Sequence, residues 1–199
     1  MSVLGELQPN KVFKYFEEIC SIPHGSRNLQ QISDYLVDFA KAHELKYRQD
    51  EDLNVIIWKD GSKGYEASEP VILQGHMDMV AVKEADCDKD MEKEGLDLEI
   101  NGDYISAKGT SLGGDDGIAV AYTLAVLDDE EMAHPPIEAI FTVNEEIGML
   151  GAATIDVSDL KGRLFMNMDS EDEGVFTVSC AGGASVICKI PYAVSYTHL

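Results

Sequence analysis

The chain has 199 residues, enough for one sizeable domain with a real core or two very small ones. Fifteen basic residues against 37 acidic ones give a formal charge of −22, and no Lys/Arg patch appears. Nucleic acid and anionic membrane surfaces are therefore excluded as partners, because binding phosphates requires such patches. The opening MSVLGELQPNKVFKYFEE has no basic region leading into an apolar one, and no apolar run reaches the length of a membrane span, so the sequence predicts a cytoplasmic protein. Cys20, Cys87, Cys180 and Cys188 are scattered without a CxxC spacing and read as reduced thiols, Cys20 within the core.

Along the chain, Val12, Phe13, Phe16, Ile19 and Cys20 recur at helical spacing and predict an amphipathic helix over 10–20. SIPHGS breaks it, and Ile32, Tyr35, Leu36, Phe39 and Ala40 mark a second helix. NVIIW (54–58) reads as a strand closed by the turn signal Lys59-Asp60-Gly61. Strands follow over 70–73 and 104–107, and the acidic stretch 86–99 reads as a solvated loop. Residues 115–127 are apolar nearly all round, as a helix buried against a sheet would be. A strand over 137–143, a helical stretch over 151–155 and strands over 164–168 and 175–179 complete the series. Strands alternating with helices predict an α/β fold, a mostly parallel or mixed sheet flanked by helices.

In an open α/β sheet, ligands bind beyond the carboxyl ends of the strands. VILQGHMDMV (71–80) ends a strand at Gly75 and delivers His76, with Asp78 in reach to orient the imidazole. The strand ending at Val143 delivers Glu145 and Glu146, and the one ending at Met168 delivers Asp169. GTSLGGDDG places Asp115 and Asp116 at the start of the buried helix. So many carboxylates cannot all stay ionised in one cleft without cations. Imidazole nitrogen mixed with carboxylate oxygen suits Zn²⁺ foremost, or Mn²⁺ or Co²⁺, and a shared carboxylate would give the close spacing of two-metal hydrolases.

Each piece also has a plainer reading. Asp115 or Asp116 serves equally well as a helix N-cap, Glu145 and Glu146 as exposed acids, and Asp169 as a turn former. GTSLGGDDG lacks the Lys-Ser/Thr of a phosphate loop. Asp86, Asp88 and Asp90 imitate a calcium loop, but Met91 stands where its glycine belongs and Asp97 where its glutamate belongs. His24, His43 and His134 lack ligand-spaced partners and read as structural.

GHMDMV, GTSLGGDDG, NEEIG and NMDSED, in this order and spacing, resemble the di-zinc metallopeptidases of the aminoacylase/carboxypeptidase superfamily. The acidic segment MVAVKEADCDKDMEKEGLDL, leading into GDYISAKGTSLGGDDG, is similar to the aminoacyl-histidine (Xaa-His, cytosol non-specific) dipeptidase branch rather than to the tripeptidases. The resemblance implies two divalent ions, with His76 on one zinc, Asp78 behind it, Asp115 bridging both, Glu146 on the other zinc, and Asp169 completing the site with His76. It implies Glu145 as the general base that takes a proton from the attacking water, and a cis bond between Asp115 and Asp116. The implied substrate is a dipeptide. An N-acyl-amino-acid deacylase or tripeptidase is the same-chemistry alternative, and a non-catalytic metal-binding fragment the alternative of another class.

The same resemblance predicts that 1–190 is the N-terminal part of a catalytic domain. The lid through which relatives form homodimers, and the distal segment with a further zinc-binding histidine, are then missing. Residues 191–199 read as a tail of foreign origin. On that expectation the chain alone is weakly active or inactive.

Overall fold

The computed structural model describes residues 2–170, 174–179, 182, 184 and 186–192. Its helices and strands are α1 (Asn10–Cys20), α2 (Gln30–Ala42), β1 (Lys46–Gln49), β2 (Val55–Lys59), β3 (Val71–His76), β4 (Leu98–Asn101), β5 (Tyr104–Ala107), α3 (Gly114–Leu127), β6 (Ile137–Thr142), α4 (Leu150–Thr154) and β7 (Leu164–Asn167). In α1 the buried residues Val12, Tyr15, Phe16, Ile19 and Cys20 fall three or four apart, which puts them on one stripe. In α2, Ile32, Leu36, Phe39 and Ala40 do the same.

The main sheet has the order β1-β2-β6-β3-β7. β1 runs antiparallel to β2 and β2 antiparallel to β6, while β3 is parallel to both β6 and β7. The sheet is therefore mixed, with its parallel half on the side that carries the candidate site. β6 (IEAIFT) is buried along its whole length, as a central strand covered on both faces must be. Val55, Ile57, Leu73, Ala139 and Phe141 lie on one face and join the residues of α1, α2 and α3 in a single core. On the other face Glu138 is buried, and its carboxylate accepts the amides of Lys161 at 3.0 Å and Gly162 at 2.9 Å. A buried carboxylate satisfied in this way pins the connection into β7.

α3 is the helix that carries the candidate site, and both of its ends are tied down. At its C-terminal end the ammonium of Lys59 donates to the Val126 carbonyl at 3.1 Å, and that of Lys11 donates to the Asp128 carbonyl at 3.0 Å. Cations at that end suit the helix dipole. His43, read as structural, lies 3.5 Å from Asp128 in the same cluster.

Differences from the sequence reading have physical causes. β1 (KYRQ) is a polar edge strand without an apolar run to announce it. β4 emerges from the acidic stretch read as a loop and pairs with β5 in a separate hairpin turning at Gly102. β3 runs on through Gly75, so His76 is its last residue rather than the first of a loop. The strand expected over 175–179 is absent: Phe176 and Val178 are 87% and 95% exposed and no partner strand pairs with them among the described residues. Alternating apolar residues make a strand only where a neighbouring backbone and a core receive them. Residues through Asp169 form one compact unit and those from Ser170 a second. Residues 193–199, the greater part of the expected tail, lie outside the described residues.

Gly75 marks the closest approach of sheet and helix. A Cβ there would sit 2.8 Å from the Asp116 carboxylate and 3.0 Å from the Ala119 methyl. Gly75→Ala should lower the unfolding free energy by about 1–3 kcal/mol in urea denaturation, the usual penalty of overpacking.

Candidate metal centre

His76 closes β3 with only 1% of its surface exposed. Its backbone amide donates to the Asp116 carboxylate at 3.1 Å. The ring is held at both nitrogens: Nδ1 lies 2.9 Å from the Asp78 carbonyl oxygen, and Nε2 lies 3.0 Å from Asp115 Oδ1. A proton on Nδ1 donated to that carbonyl leaves Nε2 to meet the acidic cluster. The expected role of Asp78 is thus carried first by its main chain, with its carboxylate 3.6 Å from Nδ1.

The Asp78 carboxylate, itself buried, ties the site together. One oxygen accepts the Glu145 amide at 2.9 Å and the other accepts the Ser26 hydroxyl at 2.7 Å. Burial works against its charge, but these donors and His76 hold its pKa below the ordinary value. Three segments distant in sequence meet on this one side chain.

The remaining acids arrive on three turns. Before α3, Gly113 adopts a left-handed backbone (φ 68°) where a Cβ would lie 2.9 Å from the Met79 sulfur. Asp115 and Asp116 are not helical, and the bond between them is cis, as the resemblance implied. Neither side chain caps α3, so the capping reading fails. After β6, Asn144 turns through a left-handed conformation (φ 53°) and presents Glu145 and Glu146. Beyond β7, the Met168 amide still bonds the Gln74 carbonyl of β3 at 3.4 Å, and Asp169 follows.

Two sets of donors converge. His76, Asp115 and Glu146 offer ligand atoms that all lie within 4.8 Å of one another, and so do His76, Glu145 and Asp169. All five expected side chains therefore come together, with His76 common to both sets. Glu145, expected as base, stands among the possible ligands, with Oε2 3.9 Å from His76 Nε2.

The electrostatics fit a cation. Burial, with the charges of Asp169 and Asp115, pushes Asp116 up to about 7 against the pull of His76. Burial and neighbouring acids also raise Glu145 and Glu146. For His76, burial disfavours the charged ring, yet Asp78, Asp116 and Asp115 together lift it to about 10. The mixed nitrogen and oxygen donors match Zn²⁺, Mn²⁺ or Co²⁺. The calcium imitation has no such character: Asp90 is taken by the Lys93 ammonium at 2.7 Å.

Comparison with known proteins places this arrangement. No protein-family model matches the chain. The cytosol non-specific dipeptidase of Escherichia coli K12 is 40% identical over 183 residues, covering 92% of this chain and 38% of that protein. The crystal structure of aminoacylhistidine dipeptidase from Vibrio alginolyticus superposes with a TM-score of 0.83 at 40% identity, over 86% of this chain and 35% of that one. The chain is a relative of these dipeptidases. A tripeptidase from Staphylococcus aureus shares the fold at 23% identity, with a TM-score of 0.68 over 84% of this chain and 45% of that one. The chain spans little more than a third of the length of either dipeptidase. Among the described residues no helix is long and apolar enough to cross a membrane.

Sequence reasoning found His76 and its acids but missed Ser26 and Asn144. SIPHGS read only as a helix break, and nothing local signals that Ser26 bonds a carboxylate 52 residues away. Asp78→Ala removes the acceptor for Ser26 and Glu145 at once. Zinc affinity, measured by calorimetry, should fall by about 10- to 100-fold, as when such outer partners are lost elsewhere.

Proposed function

We propose that this site hydrolyses dipeptides, Xaa-His among them, with the help of two divalent ions, zinc foremost. The observation that carries the reading is the convergence of His76, Asp115, Glu145, Glu146 and Asp169 at one edge of the sheet, in a chain 40% identical to a dipeptidase. The four residues that would hold the ions are His76, Asp115, Glu146 and Asp169. Bound there, the ions would polarise the scissile carbonyl and lower the pKa of the attacking water.

The rest falls to the protein's own side chains. Asp78 holds the His76 ring through its carbonyl and fixes the start of the Glu145-Glu146 turn through its carboxylate. Glu145 is assigned the general base: it takes the proton of the water and returns it to the leaving amine. Its raised pKa supports that role, since a base works best when its proton affinity approaches the working pH.

The higher identity to dipeptidases than to the tripeptidase favours a dipeptide over a longer substrate. The test compares zinc-loaded protein on Xaa-His dipeptides such as β-alanyl-histidine with tripeptides and N-acyl amino acids. Hydrolysis by this chain, which spans little more than a third of either dipeptidase's length, should be weak; dipeptides should still dominate and their hydrolysis vanish with a chelator, whereas a preference for acyl amino acids would move the site to the deacylases. Glu145→Gln should lower kcat by about 10²- to 10⁴-fold, the contribution expected of a general base, and leave zinc content unchanged by elemental analysis. Loss of zinc in that variant would make Glu145 a ligand instead.

A further inference from the structure

Leu73 and Gly75 of β3 face the core and α3, so Gln74 and His76 share the opposite face of the strand. The register sets His76 beside Thr142 on β6 and Gln74 beside Asn167 on β7. Both polar atoms of the Gln74 carboxamide are used. Nε2 donates to Thr142 Oγ1 at 3.2 Å, and Oε1 accepts from Asn167 Nδ2 at 2.5 Å. The Gln74 main-chain carbonyl also accepts the Met168 amide at 3.4 Å. One side chain thus bridges from β3 to both neighbouring strands, one step below the imidazole.

Each end of the bridge sits at the root of a segment that delivers acids. Thr142 is the last residue of β6, and Glu145 and Glu146 follow it. Asn167 is the last residue of β7 and the last of its ladder with β3, and Asp169 follows it. Glu145 and Asp169 offer ligand atoms within 4.8 Å of each other, so their like charges work to part these two strand ends.

The two ends are not equally secure. The turn after β6 has other ties, the Glu145 amide to Asp78 at 2.9 Å and the Val143 amide to the Asn54 side chain at 3.1 Å. β7 is the edge of the sheet, paired with β3 alone, and Leu164, Phe165 and Met166 are all exposed, so little apolar burial holds it. Its approach is pinned by Glu138 through the amides of Lys161 and Gly162. Its far end, from which Asp169 departs, is pinned by Gln74.

We propose that Gln74 is a positioning residue of the metal centre: its carboxamide yokes the end of β7 to β6 and so fixes how far Asp169 stands from the Glu145-Glu146 turn. The proposal rests on the metal-dependent dipeptidase reading and adds the element that lets acids from two strands meet on one ion. Removing the bridge leaves every ligand in the chain and costs affinity at the ion that takes Asp169. The donors His76, Asp115 and Glu146 keep their own supports.

The test is zinc calorimetry on the whole chain. Gln74→Met keeps the length of the side chain without its hydrogen bonds, and Asn167→Ala removes the far arm at an exposed position, where folding is least at risk. In either variant one of the two zinc-binding events should weaken by about 10- to 100-fold, as when outer partners of metal ligands are lost elsewhere, with the other unchanged. Asp169→Ala should weaken the same event, and adding Gln74→Met to it should cost nothing more, because Gln74 acts through Asp169. Unchanged affinities in Asn167→Ala and Gln74→Met, equal weakening of both events, or a further loss in the double variant overturns the positioning role. Failure of the unaltered protein to take up zinc overturns the metal-dependent reading beneath it, and the proposal with it.

Discussion

The meeting of α3 with the end of β3 is the contact on which the site depends. It exists because position 75 carries no side chain: the Asp116 carboxylate reaches past Gly75 to the His76 amide, 3.1 Å away. That bond sets the start of α3 against the carboxyl edge of the parallel strands, where Asp115 then meets the ring of His76. A larger residue at 75 would lift the helix away and separate the imidazole from its acids. The core formed by α1, α2 and α3 on that face of the sheet keeps the approach rigid.

Charge explains the rest of the arrangement. Six acids around one imidazole repel one another, and burial adds to the cost of keeping them ionised. The fold answers in two ways. Asp78 is fully supplied with donors and stays an anion, so it acts as a fixed strut between the Ser26 loop, β3 and the Glu145 turn. Asp116, Glu145 and Glu146 are instead pushed upward in pKa, which marks a cluster that is relieved by positive charge.

Much of this was legible from residue order. Periodicity located α1, α2, α3 and β6 because each buries a regular apolar stripe or run, and the rule that ligands gather at strand ends brought His76, Glu145, Glu146 and Asp169 to one edge. β3 runs parallel to both β6 and β7, so their carboxyl ends share that edge. What stayed hidden is non-local. β1 and β4 are short and polar, so their strand character comes from their partners. The Ser26 contact with Asp78 and the left-handed turn at Asn144 depend on segments brought together only by folding. Residues 175–179 show the opposite error, apolar alternation with no strand to pair with among the described residues.

The central claim is that these converging donors hold two metal ions, and counting them tests it most directly. Protein dialysed against zinc and then against metal-free buffer should retain two zinc ions per chain by elemental analysis, and fewer after Asp115→Ala, which removes the carboxylate proposed to serve both. One ion or none in the unaltered protein, or a count unchanged by Asp115→Ala, would contradict the account.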